Sequence, residues 1–334
     1  MHSRALLVFA ICLTLLVAAI SARVAVGGTP PQTAPGPNEP VTLFKSPIIE
    51  LRAQRAAAGL VVGSAVAVAG VLLQCLFRNP LASPDLLGMA SGAGLGVMTA
   101  AYISYQATGM ISQVGLGATG PPALAGALAA LGLTYLFSQR RGFIDPPSLL
   151  LVGVIVGVLA ASLTQFIQYL LPDRGVAASR WLLGAISDDI TWGQSLLMGV
   201  IVLAVALTSA KLGPALDAAT LGDDEARSLG VPLVPLRAWM FLASGILAAS
   251  SVVIAGPVAF IGLICPHLVR MAAGPTHRPL ILCAGLAGGA LVIWADTLVK
   301  LINLTSGRLP ISVLTSLIGG PLLIILLRKR PVVV

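Results

Sequence analysis

RNPLASPDLLG, residues 78–88, decides how this chain is organised: a charged stretch holding two prolines lies between two apolar runs long enough to cross a bilayer. Proline at 80 and 84 removes backbone donors, so no continuous helix runs through it. The stretch marks where one helix leaves the membrane and the next re-enters.

Composition on either side agrees. Apolar residues are 57% and charged residues 10% of 334, and mean hydropathy is +0.97, whereas a soluble domain needs about a quarter charged residues. In lipid every backbone polar group must be satisfied within its own segment, so runs of about 20 apolar residues become helices. The alternation of a membrane β-barrel is absent. The expectation is an all-α polytopic membrane protein with about ten transmembrane helices, one transmembrane domain over residues 1–334.

Working outward from 78–88, spans are expected at 56–77 and 84–104, then at 121–138, 148–171, 193–212, 236–255, 257–272, 280–301 and 310–327. The first, 5–26, follows Arg4 and ends in small residues, so it reads as a retained span or as a signal peptide, the retained span being preferred. Residues 27–51 include GGTPPQTAPGPNEP, an extramembrane linker by its Pro and Gly content. Residues 213–235, GPALDAATLGDDEARSLGVPLVP, hold the densest acidic cluster and two short helical pieces about Gly222, outside the membrane. The segment 257–272 is too short for an upright span and carries Pro257 and Pro266. Broken helices at membrane depth are tolerated only when buried or lining a cavity. Glycines four apart at Gly59/Gly63, Gly92/Gly96, Gly153/Gly157 and Gly285/Gly289 let neighbouring helices approach closely. VAVAGVLLQ at 66–74 is echoed by SVVIAGPVAFIG at 251–262, in segments that would begin on opposite sides, as inverted repeats do.

Positive residues set the orientation. With both termini cytoplasmic, twelve of the twenty Lys and Arg lie inside, among them Arg4, Arg140, Arg141 and the terminal Arg328, Lys329 and Arg330. The net charge of +8 is then a matter of membrane orientation, not of nucleic-acid binding. Cys12, Cys75, Cys265 and Cys283 fall in apolar segments without Cys-x-x-Cys spacing and read as buried small hydrophobes.

The chemistry of an enzyme is missing. There is no GxxxxGK[ST] phosphate loop and no HExxH, His2, His267 and His277 are too scattered for a metal site, and each Ser-Gly pair lacks the GxSG of an intramembrane serine protease. A gradient-driven transporter keeps carboxylates inside its spans. The candidate is Asp296, and Lys300 four residues on suggests an ordinary ion pair near a helix end. Energy must therefore come from a partner.

Four ordered blocks then resemble a known family, the FecCD-type permease subunits of bacterial ABC importers for iron-siderophore, haem or cobalamin. They are LRAQRAAAGLVVGSAVAVAGVLLQCLFRNPLASPDLLGMASGAGLG at 51–96, TLGDDEARSLGV at 220–231, VIAGPVAFIGLICPHLVRM at 253–271 and LPISVLTSLIGGPLLIILLRKR at 309–330. The resemblance implies a type II ABC importer permease fold in the cell (inner) membrane, multi-pass, with both termini cytoplasmic. It implies as partners a second permease copy or close paralogue, two cytoplasmic ATP-binding subunits, an external substrate-binding protein, a metal-chelate substrate and the lipid bilayer. Ferric siderophore comes first as cargo, haem and cobalamin next, with molybdate further off; no cofactor is implied.

By the same resemblance Thr220, Leu221, Gly222, Asp223, Asp224, Glu225, Arg227, Leu229 and Gly230 look like the ATPase-coupling helices. Arg52, Arg55, Lys300 and Arg308 resemble cations that dock acidic residues of the binding protein, although Gln54 stands where Pro is usual and Arg308 where Glu is common. Asp145, Pro146 and Pro147 correspond to a gate region, and Gln165 and Gln168 in 148–171 suit a pathway lining or bridges between helices. The alternative is a secondary transporter or channel working without ATP.

Overall fold

The computed structural model describes residues 2–26, 47–109, 116–140, 143–172, 181–187, 189–302 and 309–329. Among these the helices are α1 (His2–Ala25), α2 (Pro47–Leu76), α3 (Met89–Thr108), α4 (Leu116–Ser138), α5 (Pro146–Leu170), α6 (Trp192–Lys211), α7 (Gly213–Leu221), α8 (Asp223–Ser228), α9 (Leu233–Ala255), α10 (Ile261–Ala273), α11 (His277–Leu301) and α12 (Ile311–Lys329). The one extended element among the described residues is a two-residue ladder, β1 (Gln139–Arg140) against β2 (Phe143–Ile144).

Each of the ten expected apolar segments contains a helix. Seven of the described helices, α1, α2, α4, α5, α6, α9 and α11, are long and apolar enough to cross a membrane by length and composition. α10 is short, beginning after Pro257 and carrying Pro266 within it, and Ile311–Ile325 of α12 is likewise a shorter apolar helix.

Among the boundaries that differ from expectation, two shape the fold. α2 starts at Pro47, so residues 47–51 are helical rather than linker, and residues 27–46 lie outside the described set. The span expected from 84 is a 3-10 turn, Pro84–Leu87, closed by Gly88 at φ 72, and α3 begins only at Met89. Pro84 supplies the fixed φ that starts the turn, and Gly88 adopts the left-handed conformation that redirects the chain.

α2 and α11 form the centre. Side chains are absent where they cross: a Cβ on Gly63 would lie 2.1 Å from the Gly288 carbonyl oxygen, and one on Gly288 would lie 2.3 Å from that of Gly63. Backbone therefore packs directly on backbone, the close approach that small residues permit in membranes. α2 meets α10 in the same way, with a Gly70 Cβ falling 2.0 Å from the Gly262 oxygen, so the two echoing segments touch in space. α3 and α4 cross at Gly92 and Gly126. Around this centre lie α9, half-turned into the core through Phe241 and Leu247, and α1, whose Val8, Cys12, Leu16 and Ala19 form a buried stripe at helical spacing. The other faces of α1 and α5 expose Leu6, Leu7, Val17, Leu151, Val158 and Phe166, as a bilayer or a partner chain requires.

If the α2–α11 crossing depends on missing side chains, Gly63→Ala should lower stability by about 1–3 kcal/mol, the usual cost of overpacking. Gly132→Ala, where nothing lies within 4 Å, should be neutral or stabilising. Thermal unfolding of the two variants in one detergent checks this, and equal melting shifts would contradict it.

Candidate functional site at the two ends of the bundle

The polar end carrying α7 and α8 is a rigid knob. Pro214 stands in the first turn of α7, where its missing donor costs nothing. Leu216, Ala219 and Ala226 are buried, fixing both helices against the bundle. Two carboxylates then fasten the pair. Asp217 accepts hydrogen bonds from the backbone N–H of His277 at 2.8 Å and lies 2.6 Å from His277 Nδ1, bolting α7 to the start of α11. Asp223, the first residue of α8, accepts from Arg237 Nη2 through both oxygens at 2.7 Å and also from Arg78 Nη2. Arg78 donates through Nε to Ala219 O at 2.9 Å, and its backbone φ of 48 is one arginine rarely adopts. Nearby, Arg270 Nη2 donates to Gln74 Oε1 at 2.9 Å, tying α10 to α2.

Between the two fastenings sits Gly222, at φ 153, where a Cβ would meet the Glu225 carboxylate oxygen at 1.9 Å. Only glycine fits there without strain. Gly230, at φ 76, ends the unit, donating its N–H to Arg227 O.

What the knob shows to solvent is apolar and charged together. Leu221 and Leu229 are 67% and 65% exposed, and Asp224, Glu225 and Arg227 are exposed beside them. The Asp224–Arg227 pair at 3.7 Å is a surface contact of little energetic weight. Thr220 is also exposed, and its hydroxyl is turned back onto Asp217 O. Of the coupling residues expected from sequence, Asp223 is the one whose carboxylate is held by the bundle, and it anchors the knob. Arg78, Arg237, Asp217 and His277 were missed as partners, since pairs 14, 60 and 145 residues apart leave no local spacing to read.

Burial alone would raise the carboxyls of Asp223 and Asp217, but the guanidiniums of Arg78 and Arg237, and the donors of His277, hold them below the usual carboxylate range.

At the opposite end a single carboxylate is clamped by two guanidiniums. Arg23 Nε lies 2.6 Å from Asp296 Oδ2, and Arg55 Nη2 lies 2.6 Å from Asp296 Oδ1, with all three side chains at most 8% exposed. This corrects two expectations. Asp296 is held by arginines from α1 and α2 rather than by the local Lys300, and Arg55 turns inward instead of facing a docking partner. Arg52 and Lys300 stay partly exposed at that end, with Arg52 Nη1 donating to Val24 O at 2.9 Å; Arg308 lies outside the described residues.

Asp145 caps α5, its carboxylate accepting from Ser148 N at 3.1 Å, and Pro146 and Pro147 occupy the first helical turn. Gln165 is exposed on the apolar face of α5, and Gln168 is half-buried. Among the described residues no three His, Cys, Asp or Glu side chains gather as metal ligands.

The bundle of apolar helices with one polar knob is that of a membrane transport subunit. The family model described as the FecCD transport family matches residues 5–329, and the chain belongs to that family. It is 37% identical over 281 residues to the vitamin B12 import system permease protein BtuC of Yersinia enterocolitica, covering 84% of this chain and 81% of that protein. It is 32% identical over 284 residues to the molybdate import system permease protein MolB of Haemophilus influenzae, covering 84% and 81%. Among solved structures, a transporter described as of metal-chelate ABC type, in an inward-facing conformation, superposes with a TM-score of 0.81 at 28% identity over 98% of this chain and 100% of that one. PsaBC from Streptococcus pneumoniae shares the fold, with a TM-score of 0.52 at 13% identity over 84% and 92%. The chain is thus an ABC-importer permease and not an enzyme.

Removing Asp296 with Ala should leave two buried guanidiniums unpaired and cost about 3–5 kcal/mol, measurable as lost thermal stability in detergent. The fastenings of the knob have a pH sign. A carboxylate with a depressed folded pKa contributes stability that is present above its unfolded value, about 3.9, and lost as pH falls through the folded one. Hydrogen exchange of 213–228, corrected for intrinsic rates, should therefore be unchanged from pH 8 to about 5 and rise below about 4. In Asp223→Asn it should be raised throughout.

Proposed function

We propose that this chain is the membrane half of an importer for a metal chelate, paired with a second copy or a close paralogue and driven by two ATP-binding subunits on the side of α7 and α8. That side is the cytoplasm, which places both termini there, in keeping with Arg4 at one end and Arg328, Lys329 and Arg330 at the other. The carrying observation is the knob itself: exposed Leu221 and Leu229 ringed by Asp224, Glu225 and Arg227, on two helices fastened to α2, α9 and α11. A solvated loop needs no such fastening, whereas a lever does.

Hydrolysis in the partner moves the knob, the knob moves three helices, and the paired subunits shift between outward- and inward-open populations. An amide facing lipid costs free energy. Gln165 on the exposed face of α5 therefore belongs to a surface closed by the second subunit, along the substrate path, with Asp145, Pro146 and Pro147 at its gate. On the outer face Arg52, Lys300 and Arg308 receive acidic residues of a substrate-binding protein; Arg55 leaves that set because Asp296 holds it. For the cargo, relatives named for vitamin B12 and molybdate move cobalamin ahead of ferric siderophore and haem.

Purified from its own host, the chain should bring an ATPase with it, and uptake into vesicles should need ATP on the knob side. Uptake driven by an ion gradient with no ATPase bound would overturn the proposal in favour of a secondary transporter or channel. Replacing Glu225 and Arg227 together by Ala should leave the protein folded and cut transport per ATP at least about tenfold, the effect of losing ~1.4 kcal/mol of contact. Unchanged coupling would remove the knob from the mechanism.

A further inference from the structure

α1 and α6 both pack on the α2–α11 pair, and a groove lies between them. Its inner part, of about 250 Å³, is apolar: Phe9, Leu60, Val61, Val202, Leu203 and Leu286 are among its lining. A second cavity of about 610 Å³, between α1 and the facing ends of α10 and α11, adjoins it at Phe9 and Leu282 and reaches the knob end of the bundle, where Thr276 and Arg278 line it. The two cavities meet at Phe9 and Leu282 on the flank of the protein, the first apolar and the second bordered by a cation.

Two features select an occupant. The first is length. From Arg278 to Leu286, α11 rises about 12 Å, close to the depth of one leaflet of a ~30 Å hydrocarbon core. The second is charge. Arg278 is exposed, as are Arg4, beside the lining residue Ala5 on α1, and Lys211, at the end of α6. None of these three cations makes an ion pair with a described acid: Asp217, the acid beside this end of α11, is taken by His277. Unneutralised cations at the membrane surface attract anionic headgroups.

We propose that this groove is a binding site for an anionic phospholipid, its phosphate held at Arg278 within the positive field of Arg4 and Lys211, and one acyl chain lying along Phe9, Leu282 and Leu286. The lipid lies along α1, its headgroup beside the end of α10 and its chain reaching between α1 and α6, so it supports the seating of α1 on the core. Assigning it to the cytoplasmic leaflet rests on the orientation proposed above; headgroup selectivity does not.

The test uses the full-length chain, delipidated in mild detergent and offered dioleoylphosphatidylglycerol or dioleoylphosphatidylcholine, with retained lipid counted by native mass spectrometry. The wild type should retain phosphatidylglycerol in preference to phosphatidylcholine. Arg278→Gln should lower that preference about fivefold, the ratio given by ~1 kcal/mol per basic residue, while Arg278→Lys keeps most of it. Leu282→Trp, which fills the shared wall, should reduce retention of both lipids, and excess inorganic phosphate should not displace the bound lipid. Equal retention of the two lipids by the wild type overturns the proposal without recourse to any variant, as does displacement by phosphate. So does undiminished preference in folded Arg278→Gln. ATPase co-purification, measured on the same samples, reports on the importer assignment separately: ATPase retained with no headgroup preference sinks the lipid site alone.

Discussion

Everything in this bundle is arranged around a crossing at which two helices touch through their backbones. Gly63 and Gly288 leave no room for a side chain, so α2 and α11 sit closer than ordinary ridge-and-groove packing allows. Water-driven hydrophobic association is unavailable between helices already in lipid, and close van der Waals contact must replace it. Once that pair is set, α9, α10 and α1 have a surface to pack on, and Gly70 against Gly262 repeats the same solution for the broken helix α10.

The two ends of the central pair are finished by different chemistry. At one end a carboxylate lies between two arginines in a nearly dry site, and α1, α2 and α11 become one piece there. At the other, Asp223 and Asp217 are only partly buried, and each ties a short helix to the end of a long one. Buried ionic clusters are poor sources of net stability but strong constraints on geometry, because the unpaired alternatives are so costly. The dry end suits a joint that stays fixed, and the wetter end one that carries load.

Most of the architecture was legible in the sequence because hydropathy over a span-length window is a local property. The ten apolar segments, the break at 78–88, the shortness of the segment expected at 257–272 and the short helices about Gly222 could all be read without knowing what touches what. Contacts were legible only where sequence neighbours were also spatial ones. Asp296 shows the limit: its i+4 neighbour Lys300 suggested a local pair, yet its partners are 273 and 241 residues away. Arg55 looked like an outer docking cation from the resemblance alone, and nothing in LRAQR says which way a helix will rotate once it meets Asp296. Asp223 looked like one of several docking charges, and its ties to Arg78 and Arg237 were not legible, because acidic residues in a row do not announce which one the bundle holds. The start of α2 at Pro47 was missed because Pro-rich linker composition masked a proline serving as the first residue of a helix.

The division of labour within residues 213–230 also bears on how such a chain can change over generations. Its fastening residues, Asp217 and Asp223, hold to the bundle with Gly222 as the turn between them, while the side chains of Leu221, Asp224, Glu225, Arg227 and Leu229 face away and support nothing inside the fold. Recognition and architecture are therefore written on separate side chains of one short segment. A lineage can rewrite the recognition half, and so exchange one motor for another, without relearning how to fold.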